Sequence, residues 1–144
     1  MLKQTQSTKS TSANAIKRNW HLIDVKGKIV GRIAPHIAEL LQGKHKVNYA
    51  PYLDNGDYVV VINAALVEFT GKKLDDKVYA RYSGYPGGLK QATAGELLIK
   101  NPTRIVKEAV AGMLPKNKLR DRRMTRLYIY AGDKHPYGSK FSKS

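Results

Sequence analysis

The chain has 144 residues and 42% hydrophobic content, enough for one domain that buries about two-thirds of its unfolded surface. Its 26 Lys and Arg against 11 Asp and Glu give a formal charge of +15 and a pI near 10.0, a field whose natural partner is a polyanion, nucleic acid before anionic lipid. The absence of cysteine excludes disulfides, thiolate metal sites and cysteine nucleophiles, and no apolar run approaches the ~20 residues that span a bilayer.

In chain order, residues 1–15 carry Ser, Thr and Lys without acids and read as a flexible basic N-terminal tail. A single α/β domain is expected over 16–136, and a second flexible tail over 137–144. The run WHLIDV, Trp20 to Val25, is apolar and β-prone and ends at Gly27, as a buried strand does. Val30, Ile33, Ala34, Ile37, Ala38 and Leu41 then recur at helical spacing. Pro35 is expected near the first turn, and Gly43 stands where a helix C-terminal cap belongs. YVVVIN, Tyr58 to Asn63, is nearly continuous in apolar residues, the pattern of a central strand covered on both faces.

Two β-prone pieces follow, Leu66 to Thr70 and Val78 to Tyr82, and are expected to pair as a projecting hairpin across Gly71. SGYPGGLKQ, Ser83 to Gln91, reads as loop. Thr93 and Glu96 form a capping box for the helical piece that follows, and Asn101-Pro102 opens another helix ending near Gly112 and Pro115. LYIYAG, Leu127 to Gly132, is a last strand. Alternating strands and helices of this kind predict a three-layer α/β/α sandwich on a mainly parallel sheet, with basic extensions.

The excess charge lies on the flanks: residues 1–19 carry four bases and no acid, and residues 111–144 carry nine against two. Its densest part is PKNKLRDRRMTR, where Lys116, Lys118, Arg120, Arg122, Arg123 and Arg126 face a single acid, Asp121. Apolar cover is too thin there for a membrane helix, and interspersed acids are too few for a self-neutralised one. Repulsion held within a folded segment implies an anion opposite, and the run reads as a loop tethered at Pro115 and Leu127.

Other motifs carry weaker chemistry. GKIVGR, Gly27 to Arg32, matches neither GxGxxG nor GxxxxGK[ST], and DNGD, Asp54 to Asp57, lacks the EF-hand pattern and reads as a turn. His21, His36, His45 and His135 are scattered without metal-ligand spacing. His45 lies between Lys44 and Lys46 at a helix C-terminus, where cations suit the macrodipole. The glycines of SGYPGG let a backbone lie against a sugar-phosphate chain, with Tyr82 and Tyr85 as stacking faces. No nucleophile, base and orienting group stand out as a set, and Ser83 lacks the Gly two positions earlier that G-x-S-x-G requires, Arg81 being there instead.

GMLPKNKL, Gly112 to Leu119, followed by LYIYAGDKHP, Leu127 to Pro136, resembles the signature region of large-subunit ribosomal protein thirteen. The likeness extends upstream through GRIAPHIAELLQGKHKVNYAPYLDNGDYVVVINA, TGKKLDDKVYARYSGYPGGLKQ and NPTRIVKEAVAGMLP, covering about residues 16 to 136. It implies an α/β/α fold on a four-stranded parallel sheet and a non-enzymatic role without cofactor, metal or small-molecule substrate. The implied partners are large-subunit, 23S-type ribosomal RNA, bound early in assembly, and ribosomal proteins three and twenty. The implied place is the ribosome, of the cytoplasm or of an organelle. Where the family usually has Leu-Gly-Arg this chain has Leu119-Arg120-Asp121, and YGSKFSKS replaces the usual continuation beyond Pro136.

The RNA-binding residues expected are thus the six bases from Lys116 to Arg126, Lys44, His45 and Lys46 at the helix end, Lys72, Lys73, Arg81, Tyr85 and Lys90 around the hairpin and glycine loop, and Lys134 with His135. Most should touch phosphate and few should read bases. A small RNA-modifying enzyme using the glycine loop for a nucleotide cofactor and a nonspecific DNA-compacting protein are the rival readings.

Overall fold

The structure is a computed structural model that describes residue 5 and residues 7–141, so both expected tails fall partly outside the described residues. Its elements are β1 (Trp20–Asp24), α1 (Val30–Gln42), β2 (Tyr58–Ile62), α2 (Lys73–Asp76), β3 (Val78–Tyr82), β4 (Leu89–Thr93), α3 (Ala94–Lys100), α4 (Pro102–Met113), α5 (Leu119–Met124), β5 (Leu127–Ile129) and α6 (Gly138–Phe141). β1, β2 and β5 form a parallel sheet in the order β1-β2-β5, with Trp20 opposite Tyr58 and Val60 opposite Tyr128. The chain is therefore mixed α/β, with its most apolar strand in the middle. Val59, Val60 and Val61 are all 0% exposed, which is why a continuous apolar run was required there.

One face of the sheet carries Ile23, Val59, Val61, Leu127 and Ile129, against which α1 sets Ile33, Ile37 and Leu41 and α4 sets Ile105, Val106 and Val110. Burial of each such side chain contributes about 1.5–3 kcal/mol. The other face is aromatic. Trp20 stacks on Tyr58 at 4.4 Å between ring centroids and lies parallel to Tyr128 at 5.9 Å. Tyr137 approaches the same indole at 5.0 Å, Phe141 meets it edge-on at 6.4 Å, and the Lys140 ammonium stands over it at 5.9 Å. The described part of the expected C-terminal tail is thus a short helix laid on the sheet, held by rings that sequence pattern alone does not pair.

Other differences from the sequence-based expectations have local causes. The hairpin pairs β3 with β4, not with Leu66 to Thr70, and the glycine loop is its turn: the Ser83 N–H donates to the Gly88 carbonyl and the Gly88 N–H to that of Tyr85. Leu66 to Thr70 instead meets the residue just before α1 through one parallel bridge, Ile29 to Glu68, so the parallel sheet has three strands among the described residues where the resemblance implies four. Pro35 is the sixth residue of α1, beyond the first turn, and is tolerated on its solvent face. The basic run is not a loop throughout. Leu119 to Met124 form α5, entered through an Asn117 side chain that accepts from the Leu119 N–H, with Asp121 in its positive first turn. The Thr93–Glu96 capping box is present as expected.

Two glycines let the loop before β2 lie against the end of α1. A Cβ on Gly43, which caps α1 at φ +77°, would stand 2.6 Å from the Asn55 carbonyl oxygen, and one on Gly56 would stand 1.7 Å from that of Leu41. Gly31 has open space around it inside α1. Denaturant unfolding should show Gly56→Ala destabilised by about 1–3 kcal/mol or more, and Gly31→Ala stabilised by about 0.4–1 kcal/mol.

Candidate nucleic-acid interface

The turn from Asp54 to Asp57 leads two carboxylates into the protein, each to a separate set of basic side chains. Asp57 is 0% exposed. Its Oδ1 accepts from the Asn19 N–H at 3.0 Å and from the Lys46 ammonium, and its Oδ2 lies 2.9 Å from Nε2 of His21 and 3.1 Å from Nε2 of His45. Burial pushes this carboxyl toward higher pKa, but the bonds from His21, Lys46 and the Asn19 N–H, with the Lys46 charge, outweigh it. The group is held well below the usual carboxylate range. Lys46 also donates to the carbonyls of Lys17 at 2.7 Å and Asn55 at 2.8 Å, so all three ammonium donors are engaged inside the protein.

Linear spacing left the histidines scattered, yet the fold brings His21, His45 and Asp57 together with ligand atoms within 4.8 Å of one another. A divalent ion could meet two imidazole nitrogens and a carboxylate oxygen there. The Lys46 ammonium already supplies the counter-charge on the same carboxylate, so the cluster is complete as an ion-pair network without a metal. It joins β1 to the end of α1 and the start of β2. No sequence motif announces this, because its members are up to 36 residues apart.

Asp54 gathers arginines. Arg126 grips it with both Nη atoms, at 2.6 Å to Oδ2 and 2.5 Å to Oδ1, while Arg18 stands at 3.8 Å and Arg123 at 3.9 Å. Arg18 also donates to the Gly56 carbonyl at 2.6 Å. Arg126 is 6% exposed and Arg123 1%, so two of the six bases expected in the grip on RNA point inward. The reason is helical spacing: Leu119, Arg123 and Met124 lie on the inner side of α5, and a long guanidinium there reaches the DNGD turn. Arg18 was not singled out from sequence and Asp54 was read only as part of a turn, since 36 residues separate the two.

The remaining expected residues are on or near the surface. Lys44, Lys116, Lys118 and Arg122 are exposed, and Arg120 is half-buried beside Lys107 in a shallow cleft. Lys72, Lys73, Arg81 and Lys90 are exposed on and beside the hairpin, whose tip presents Tyr82 at 63% and Tyr85 at 76%. Arg81 and Lys90 are direct cross-strand partners, a like-charge pair that destabilises a hairpin unless an anion lies over it. Lys134 is exposed, and half-buried His135 accepts from the Tyr137 N–H at 3.2 Å through Nδ1. Basic groups therefore surround the domain, leaving the core of one sheet face to α1 and α4. Among the described residues no helix is long and apolar enough to cross a membrane.

A family model described as ribosomal protein L13 matches residues 18–136. The chain belongs to that family. It is 48% identical over 133 residues to a large ribosomal subunit protein uL13 of Syntrophotalea carbinolica, covering 92% of this chain and 94% of that protein. A protein of the same name from Staphylococcus carnosus is 48% identical over 124 residues, covering 86% of each chain. Its counterpart in Thermotoga maritima is 49% identical over 132 residues, 92% of this chain and 89% of the other. Within this L13-family domain, Lys46 and Arg123 are turned to internal carboxylates while Lys44, Lys116, Lys118 and Arg122 are exposed, so the two groups can be separated by mutation.

Asp57→Asn leaves Lys46 and two imidazoles around a neutral group, and chemical denaturation should register a loss of about 3–5 kcal/mol. Because the folded carboxyl is held below its ordinary value of 3.8, its stabilising effect is complete above about pH 5 and declines as pH falls through 4 and below. That component of the acid limb should be missing from the Asp57→Asn curve.

Proposed function

We propose that this chain is a structural, non-catalytic component of the large ribosomal subunit that binds 23S-type ribosomal RNA and supports early subunit assembly and translation. The observation that carries this reading is membership of the L13 family over residues 18–136, together with a net charge of +15 borne mostly by exposed side chains. The RNA contacts are assigned to Lys44, His45, Lys72, Lys73, Arg81, Tyr85, Lys90, Lys116, Lys118, Arg120, Arg122, Lys134 and His135, and to Arg126 where it lines a cleft beside Arg122, with Lys46 and Arg123 bracing the surface from within. Exposed lysines and arginines suit phosphate, which positions a protein on folded RNA without reading sequence. Tyr82 and Tyr85 at the hairpin tip suit stacking on an unpaired base.

The finer features of the family belong to the same reading: a layered α/β/α arrangement in which the Ile29–Glu68 bridge is the stub of a fourth strand, and neighbours in the particle that include ribosomal proteins three and twenty. The domain over 16–136 acts as the folded body, with basic chain at either end.

Sucrose-gradient fractionation of lysate should place the protein with large subunits and keep it there through a moderate salt wash; recovery only at the top of the gradient would overturn the proposal. In binding titrations against a large-subunit rRNA transcript, Lys116→Ala/Lys118→Ala/Arg120→Ala should flatten the log K versus log salt slope by about 0.7–0.9 for each phosphate that these side chains neutralise in the wild type. An unchanged slope would remove these three from the interface.

A further inference from the structure

We propose that the cleft between residues 13–18, the turn at 52–54 and the edge of α5 that bears Leu119 and Arg122 is a socket for one phosphodiester of an RNA backbone, formed by Arg18, Arg122 and Arg126 around Asp54. The proposal rests on the rRNA-binding reading above and gives it an enclosed contact that exposure alone does not reveal.

Charge balance is the first argument. Three guanidiniums, those of Arg18, Arg123 and Arg126, stand within 3.9 Å of one carboxylate, and Asp54 can neutralise only one of them. The side chains of Arg123, Arg126 and Asp54 are 1%, 8% and 14% exposed, so water screens the surplus poorly. A cationic cluster of this kind is stable with a second anion beside it.

Unmet donors are the second. Among the described residues Nε and Nη2 of Arg123 and Nε of Arg126 are buried without an acceptor, although Arg126 lines the cleft. Each unmet buried donor of a charged group is costly. Both Nη atoms of Arg126 already serve Asp54, so the fork that matches the two non-bridging oxygens of a phosphodiester is that of exposed Arg122 at the cleft wall.

Shape and wall chemistry select the anion. The cleft holds about 680 Å³, so it admits a phosphate with its neighbouring ribose, and it is lined by Tyr52, Tyr58 and Tyr128 as well as by arginine. Tyr52, 65% exposed, stands at this cleft and offers a ring face to a base or sugar next to the phosphate, a wall that an acidic peptide does not need. Asp54 acts as the resident anion of the free protein. The two hydrogen bonds it accepts from Arg126 hold one guanidinium in place before RNA arrives, which lowers the ordering cost of binding. Arg18 lies just before β1, so filling the socket also ties the N-terminal segment to α5.

The test uses the full chain and inorganic phosphate at low millimolar concentration, with ionic strength held constant by chloride. The wild-type melting temperature should rise with phosphate. Asp54→Asn should melt lower than wild type without phosphate and gain more from it, because its guanidiniums then have no other anion. Arg18→Ala/Arg122→Ala changes side chains at the rim of the cleft, so the chain should fold, and its phosphate response should be abolished. An equal response in this double variant and the wild type overturns the socket. In titrations with a large-subunit rRNA transcript the double variant should show a salt slope smaller by about 0.7–0.9, the share of one phosphate. If wild type binds the transcript and the double variant keeps its slope, the socket is overturned, even with a phosphate response, while the rRNA reading stands. If wild type does not bind the transcript, the rRNA reading fails as well.

Discussion

The DNGD turn holds two carboxylates three residues apart in sequence, and the placement of the segment before β1, the end of α1 and α5 depends on them. Asp57 closes β1, the end of α1 and the start of β2 around one buried charge, through Asn19, His21, His45 and Lys46. Asp54 faces Arg18, Arg123 and Arg126, tying the segment before β1 to α5 and the entry to β5. A chain of charge +15 has few acids to use this way, and two of the 11 are placed where each orders several basic side chains. The close approach that makes this possible is set by glycine, since Gly43 and Gly56 stand where no Cβ fits beside Asn55 and Leu41. Self-repulsion, which tends to open so basic a chain, is thereby countered from within.

This internal bracing bears on how a protein of this kind meets RNA. A phosphate-binding surface must hold like charges near one another before the polyanion arrives. The Arg81–Lys90 pair does so on the β3–β4 hairpin, at a cost met by the ladder between the two strands. Around α5 the solution differs. The helix divides its bases between two sides, Arg122 outward and Arg123 inward, so that a buried guanidinium lies behind the exposed ones. Short-range order in the basic run therefore comes from packing as well as from any RNA.

Much of the framework was legible in the sequence, and each legible element has a local cause. The central strand followed from Val59, Val60 and Val61, α1 from apolar spacing ended by Gly43, and α3 from Thr93 and Glu96. The hairpin was misplaced because the β-prone piece Leu66 to Thr70 has the right composition, whereas Leu89 to Thr93 carries Lys90 and Gln91 and looks like loop. Those polar residues are admissible because β4 is largely exposed and pairs with β3 alone. The basic run read as a loop because its charge dominates the pattern. Leu119, Arg123 and Met124 form an inner helical face only if an arginine is counted among the buried residues, which composition argues against.

By itself the sequence determined the class of the protein: a basic, cysteine-free α/β domain whose motifs resemble one ribosomal family and whose charge calls for a polyanion. Those properties are sums and local periods, and they need no knowledge of which distant residues meet. Only the tertiary structure decided which cations serve the fold and which face outward. That division depends on pairs such as Asp54 with Arg126, 72 positions apart, and His21 with Asp57, 36 apart, whose meeting is set by strand order and by two glycine contacts that no linear spacing encodes.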